Sequence, residues 1–104
     1  MTTQFESILT NVKYVYGIGI DQVFAETCME KLLSNKKGLE FFYGHDLTEE
    51  EQETLINISD VVICFGNWSE DPSCQAQFSK VSKEKKRSYE ITNHPPQGWY
   101  MKKL

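Results

Sequence analysis

The chain has 104 residues, with 39% hydrophobic and 25% charged residues and a formal charge of −4. That length suits one domain with a core of its own, and the composition excludes a disordered or fibrous chain. The acidic balance argues against a nucleic-acid surface, and no apolar run approaches the roughly 18 residues of a membrane span.

Residues 1–11 carry Phe5, Ile8 and Leu9 after Thr2 and Thr3, a pattern open to a short capped helix. They lack the basic and apolar regions of a secretory signal. Cys28, Cys64 and Cys74 make no paired framework, so a cytoplasmic protein with reduced thiols is expected. Lys13–Ile20 (KYVYGIGI) reads as the first strand, weakened by two glycines. Gly17-Ile18-Gly19 is an incomplete dinucleotide fingerprint, since Gln22 stands where a third glycine would fall.

Asp21–Lys36 is the clearest helix. Phe24, Ala25, Cys28, Met29, Leu32 and Leu33 share one face, Asp21 suits the positive end of the dipole, and Gly38 suits the stop. Leu39–Tyr43 reads as the second strand. Thr48 through Glu51 forms a capping box for a helix over Glu49–Ile58. Val61–Phe65 is a continuous, β-branched run, the pattern of a strand buried on both faces. Asp71-Pro72 reads as a cap and first helical residue, and Cys74, Phe78 and Val81 form the stripe of the helix that follows. Ser88–Thr92 reads as the last strand, and residues 92–104, with Pro95, Pro96 and Gly98, as an irregular tail on which Trp99 and Tyr100 suggest packing.

The order β-α-β-α-β-α-β predicts a single α/β domain over residues 1–104. It is a small three-layer, Rossmann-like (flavodoxin-like) parallel sheet of about four strands with flanking helices. Ligands of such sheets sit beyond the carboxyl ends of the strands. The loops gathered there hold Gly19, Ile20 and Asp21, His45 and Asp46, Asn67 through Ser73, and Asn93 and His94. Gly66-Asn67-Trp68-Ser69-Glu70-Asp71 is either a ligand loop or an ordinary surface connection. No metal-ligand spacing, P-loop or nucleophile elbow occurs, so neither a metal nor a cofactor is expected. Cys74 sits near a helix N-terminus, where a thiol can be activated, but it also starts an apolar stripe, where it would be inert.

The stretch from Ser59 to Ile91, SDVVICFGNWSEDPSCQAQFSKVSKEKKRSYEI, resembles the third strand, loop and helix of the nucleoside 2-deoxyribosyltransferase-like superfamily, which includes deoxynucleotide N-glycosidases. Asp60 matches the Asp before the strand, Trp68 is similar to a loop Trp, Ser73 matches the phosphate- or sugar-contacting Ser, and Ala76 matches an Ala. The family's catalytic Glu falls on Ser79, and no carboxylate lies between Pro72 and Lys83 in any register. The resemblance therefore implies a degenerate member without catalysis, a binder of a nucleoside or nucleotide. Ser73 would hold phosphate or sugar, Trp68 would stack on the base, and Asp21, Asp46 or Asp60 would reach the ribose. Gly17, Gly19, Gly66, Asn67 and Ser69 complete the expected ligand-binding set. One alternative is an interaction or inhibitor protein that keeps only the scaffold. Another is an N-glycosidase with a relocated carboxylate, Glu70 or Asp71. Family members often form homodimers, so the resemblance implies that assembly too; no nucleic acid and no membrane is expected as a partner.

Overall fold

A run such as Val61–Phe65 offers no polar side for water, so it folds only where both faces are covered. All five of its residues are buried. The computed structural model describes residues 9–33, 38–84, 86–94 and 98–104. The helix expected near the N-terminus falls mostly on residues 1–8, outside the described residues.

The elements run β1 (Tyr14–Ile18), α1 (Gln22–Leu33), β2 (Glu40–Tyr43), α2 (Glu49–Ile58), β3 (Val61–Phe65), α3 (Pro72–Lys83), β4 (Arg87–His94) and β5 (Gly98–Lys103). Local chemistry sets several of these bounds. Thr48 and Glu51 close the capping box in both directions and start α2. Asp71 accepts from the Cys74 amide and Pro72 follows it, so α3 starts where its side chains specify. The sheet order is β2-β1-β3-β4-β5, with β1 to β4 parallel.

The tail expected to be irregular is instead β5, antiparallel to β4, with Ile91 opposite Met101 and His94 opposite Gly98. The sheet is therefore five-stranded and mixed rather than four-stranded and parallel. The physical reason is Met101, which is buried against the same core as Ile91. The two prolines that suggest irregularity fall between the strands in sequence, not within them.

The side chains of the sheet alternate between two cores. On one face Val15, Val61, Ile63, Phe65, Ile91 and Met101 pack with Ala25, Cys28 and Met29 of α1. On the other, Tyr16, Ile18, Val62 and Cys64 pack with Ile56 of α2 and Cys74 and Val81 of α3. The result is a compact α/β/α fold of Rossmann-like type.

Candidate functional site

The chain moves outward from β1 to β2 and returns on the other side of β1 as β3. Loops leaving β1 and β3 therefore diverge, and a crevice opens at the carboxyl ends of these strands, where open α/β sheets take ligands. A cleft of about 470 Å³ lies there. Ile20, Phe24 and Phe65 form its apolar side, and Asp21, Asn67 and Thr92 its polar side. The Phe24 and Phe65 rings meet edge to face with centroids 6.3 Å apart.

Gly66 turns the chain off the end of β3 in the left-handed region, at φ +60°, where a side chain would be strained. Its amide donates to the Ile91 carbonyl at 2.8 Å, which ties the loop to β4. Asp21 caps α1: its Oδ1 accepts from the Phe24 amide at 3.0 Å. The Tyr43 hydroxyl donates to the Gly19 carbonyl at 2.7 Å and fixes the loop that carries Ile20 and Asp21. Burial is the main cause that pushes this phenol up to about 12.

The expected ligand-binding residues divide into groups. Asp21, Gly66 and Asn67 line the cleft, and Gly19 is buried beside Phe65 next to it. Gly17 lies inside β1 under the Phe41 ring. Asp46 is exposed on the turn after β2, and the His45 ring lies 5.9 Å from that of Tyr43. Ser69 and Ser73 are exposed; the Ser69 carbonyl accepts from Gln75 Nε2, and Ser73 occupies the first turn of α3. Glu70 is exposed on a short 3-10 turn, while Asp71 is committed as the α3 cap.

Two candidates stand elsewhere. Asp60 is at the opposite end of the sheet, where Oδ2 accepts from the Lys13 and Tyr14 amides at 3.0 and 3.2 Å. Those two hydrogen bonds hold its carboxyl below the usual aspartate range. Trp68 is buried in the core beneath α3, its ring centroid 4.8 Å from that of Phe78. Its Nε1 donates to Glu90 Oε2 at 2.5 Å. It does not line the switch-point cleft.

Cys74 resolves toward the inert reading. Its thiol is buried, and burial first, then the Asp71 carboxylate, push it up to about 12. The helix N-terminus does not overcome these effects. All three cysteines are buried and unpaired. Among the described residues, no three His, Cys, Asp or Glu side chains gather as a metal site, and no helix is long and apolar enough to cross a membrane.

Ile20 is among the residues gathered at the strand ends, whereas Phe24, Phe65 and Thr92 are cleft residues that sequence reasoning did not assign to the site. Phe65 ends β3 and Phe24 lies in the first turn of α1, which is the signal these two carry; Thr92 is inside β4 and carries none. No protein-family model matches the chain, and neither a characterised protein nor a solved structure matches it significantly.

Proposed function

We propose that the chain is a non-catalytic binding domain for a nucleoside-type ligand, held in the switch-point cleft. The observation that carries this reading is the pairing of an aromatic wall, Phe24 and Phe65, with Asp21, Asn67 and Thr92 in one cleft of about 470 Å³. A planar ring suits the wall and sugar hydroxyls suit the polar side. Phe24 takes the place in which Trp68 was expected. The volume lies within the usual range for small-ligand pockets, about 300–1,000 Å³. The likeness of the β3–α3 stretch to nucleoside 2-deoxyribosyltransferase-like proteins supports the same ligand class.

Catalysis is disfavoured by the carboxylates. Glycoside cleavage uses two of them across the bond. Asp21 is the one carboxylate among the described residues that line the cleft, and it is already a helix cap. The unpaired thiols suit a cytoplasmic, reducing setting.

A thermal-shift panel of uncharged nucleosides tests the reading. A ligand at 100 times its dissociation constant adds about 2.7 kcal/mol, a shift on the order of 10 °C for a domain of this size. Asp21→Asn keeps a competent cap, so it should reduce the shift without unfolding α1; Asn67→Ala should do the same. A flat panel overturns the proposal, and release of free base would replace it with the glycosidase reading.

A second reading rests on a separate observation. Ile20, which lines the cleft, is 44% exposed, and Val23, next in sequence to the cleft residue Phe24, is 74% exposed. Such exposed apolar side chains suit a protein partner or a homodimer contact. Light scattering with the Val23→Asp variant distinguishes it: the variant should lose assembly while keeping nucleoside binding.

A further inference from the structure

In open α/β sheets the helix that follows the first strand often holds a ligand's phosphate on its first amides, at the positive end of its dipole. In this chain Asp21 already occupies that place. It stands immediately before α1, and its Oδ1 accepts from the Phe24 amide at 3.0 Å. The carboxylate satisfies a donor that a phosphate would need and sets a negative charge beside it. Asp21 also lines the switch-point cleft together with Ile20 and Phe24. Its second oxygen adds acceptor capacity there and no donor.

The charges around the cleft share that sign. Among the described residues, no lysine or arginine lines it. Topology accounts for this. β1 to β4 are parallel, so Lys13 before β1 and Lys86 and Arg87 at the start of β4 lie at the end of the sheet away from the cleft. β5 is antiparallel and brings Lys102 and Lys103 opposite Glu90 and Tyr89, in the half of β4 nearer that end. α1 and α3 lead away from the cleft and carry Lys31 and Lys83 in their last turns. Carboxylates gather at the other end. Burial, then Cys74, then Asp21, Asp46 and Glu26 raise the Tyr43 phenol, so all three carboxylates act on one hydroxyl. That hydroxyl holds the Gly19 carbonyl beside the cleft.

We infer that Asp21 sets the specificity of the cleft against phosphate, so that its occupant is an unphosphorylated nucleoside and the corresponding 5′-monophosphate is refused. This specificity presupposes the nucleoside reading of the same cleft and narrows it to one ligand class. The polar groups that line the cleft are the Asp21 carboxylate, the Asn67 amide and the Thr92 hydroxyl. They match sugar hydroxyls, which both donate and accept. A phosphate dianion would meet a like charge and lose its water with no ammonium or guanidinium to replace it. A cation in the same position would gain instead.

Calorimetric titration with adenosine, guanosine, cytidine and uridine, each against its 5′-monophosphate, tests it. For the nucleoside that binds, the monophosphate should be weaker by roughly tenfold or more. The 5′-amino-5′-deoxy analogue of that nucleoside should bind at least as tightly as the nucleoside itself. Raising the ionic strength should narrow the gap between nucleoside and monophosphate, because the repulsion is screened. Asp21→Asn keeps an oxygen for the Phe24 amide and removes the charge. It should weaken the nucleoside yet strengthen its monophosphate, at unchanged circular dichroism, so that the preference falls by roughly fivefold or more. A merely structural role for Asp21 would move both ligands in the same direction. A monophosphate that binds as tightly as its nucleoside overturns the inference and leaves the nucleoside reading standing, as does a preference untouched by Asp21→Asn. Absence of binding by every nucleoside overturns both.

Discussion

The Tyr16 hydroxyl donates to Gln77 Oε1 at 2.8 Å inside the protein, joining β1 to α3 across 61 residues of chain. Both side chains are buried. Burial raises the Tyr16 phenol far above its ordinary range, so it remains a donor at any working pH. A buried polar group left without its partner is more damaging than the pair is stabilising. Tyr16→Phe should therefore destabilise by about 1–2 kcal/mol in urea unfolding. Adding Gln77→Leu removes the orphaned amide, and the double variant should be more stable than the sum of the two single losses by about 1 kcal/mol. Strict additivity would show that the pair does not couple.

Gly44 sits directly over this pair. A Cβ at this position would overlap both the Tyr16 hydroxyl and Gln77 Oε1. Gly44→Ala should cost about 1–3 kcal/mol through overpacking. Tyr16→Phe takes away the nearest overlapping atom but leaves the ring Cζ and Gln77 Oε1 in place, so the loss should shrink only in part in that background. A loss that vanishes there would assign the whole overlap to the hydroxyl, and an undiminished one would assign it to the ring carbon and Gln77 Oε1.

The parts of the fold that were legible in the sequence are those with local causes. The bounds of β3, α2 and α3 follow from an apolar run, a capping box and an Asp-Pro start, each encoded within a few residues. β5 was not legible, because its stability comes from Met101 meeting Ile91 and from pairing to β4, both non-local. Trp68 misled for the same reason. A tryptophan in the polar loop NWSED looks like a ligand-facing group. Its burial depends on Phe78 and Glu90, respectively 10 and 22 residues further along the chain. Of the candidate site, Asp21, Gly66 and Asn67 were legible from strand ends, while the wall of Phe24 and Phe65 had been assigned only to the core.

The thiols give an alkaline prediction. Burial pushes both Cys28 and Cys74 up to about 12, while in the unfolded chain a thiol titrates near 8.5. Between these values the unfolded state has lost protons that the native state keeps, so stability falls as pH rises. The effect is absent below about pH 8. Unfolding midpoints measured from pH 7 to 10.5 should decline, and Cys28→Ala with Cys74→Ala should flatten that decline relative to its own value at pH 7. Native protein at pH 8 should also resist a disulfide reagent that labels all three cysteines in denaturant. Rapid labelling of one native thiol would refute its burial.

Asp60 gives the acid counterpart. Hydrogen bonds from the Lys13 amide, then from the Tyr14 amide, lower its carboxyl in the folded chain. At pH values just below the unfolded value of about 3.9, the unfolded state takes up a proton that the native state refuses. The contribution is thus complete above that value and is lost as pH falls through the lowered native one. Asp60→Asn should reduce stability at pH 7 and show a shallower acid decline than the parent. Its nucleoside affinity should not change, since Asp60 is at the end of the sheet away from the switch-point cleft. A selective loss of affinity would return Asp60 to the ligand site.

Met101 decides whether the C-terminal segment is part of the core or an accessory to it. The residue is 7% exposed and lies opposite Ile91 on the α1 side of the sheet. Truncating a buried methionine removes both its transfer free energy and its contacts, and leaves a cavity that an edge strand closes only in part. Met101→Ala should therefore cost about 2 kcal/mol or more. Leu104, 41% exposed at the end of the same segment, is the internal control, and Leu104→Ala should stay within about 0.5 kcal/mol. Equal, small effects at both positions would mean that β5 is only loosely attached. A large effect at Met101 alone makes β5 a part of the hydrophobic core that Ile91 and α1 share.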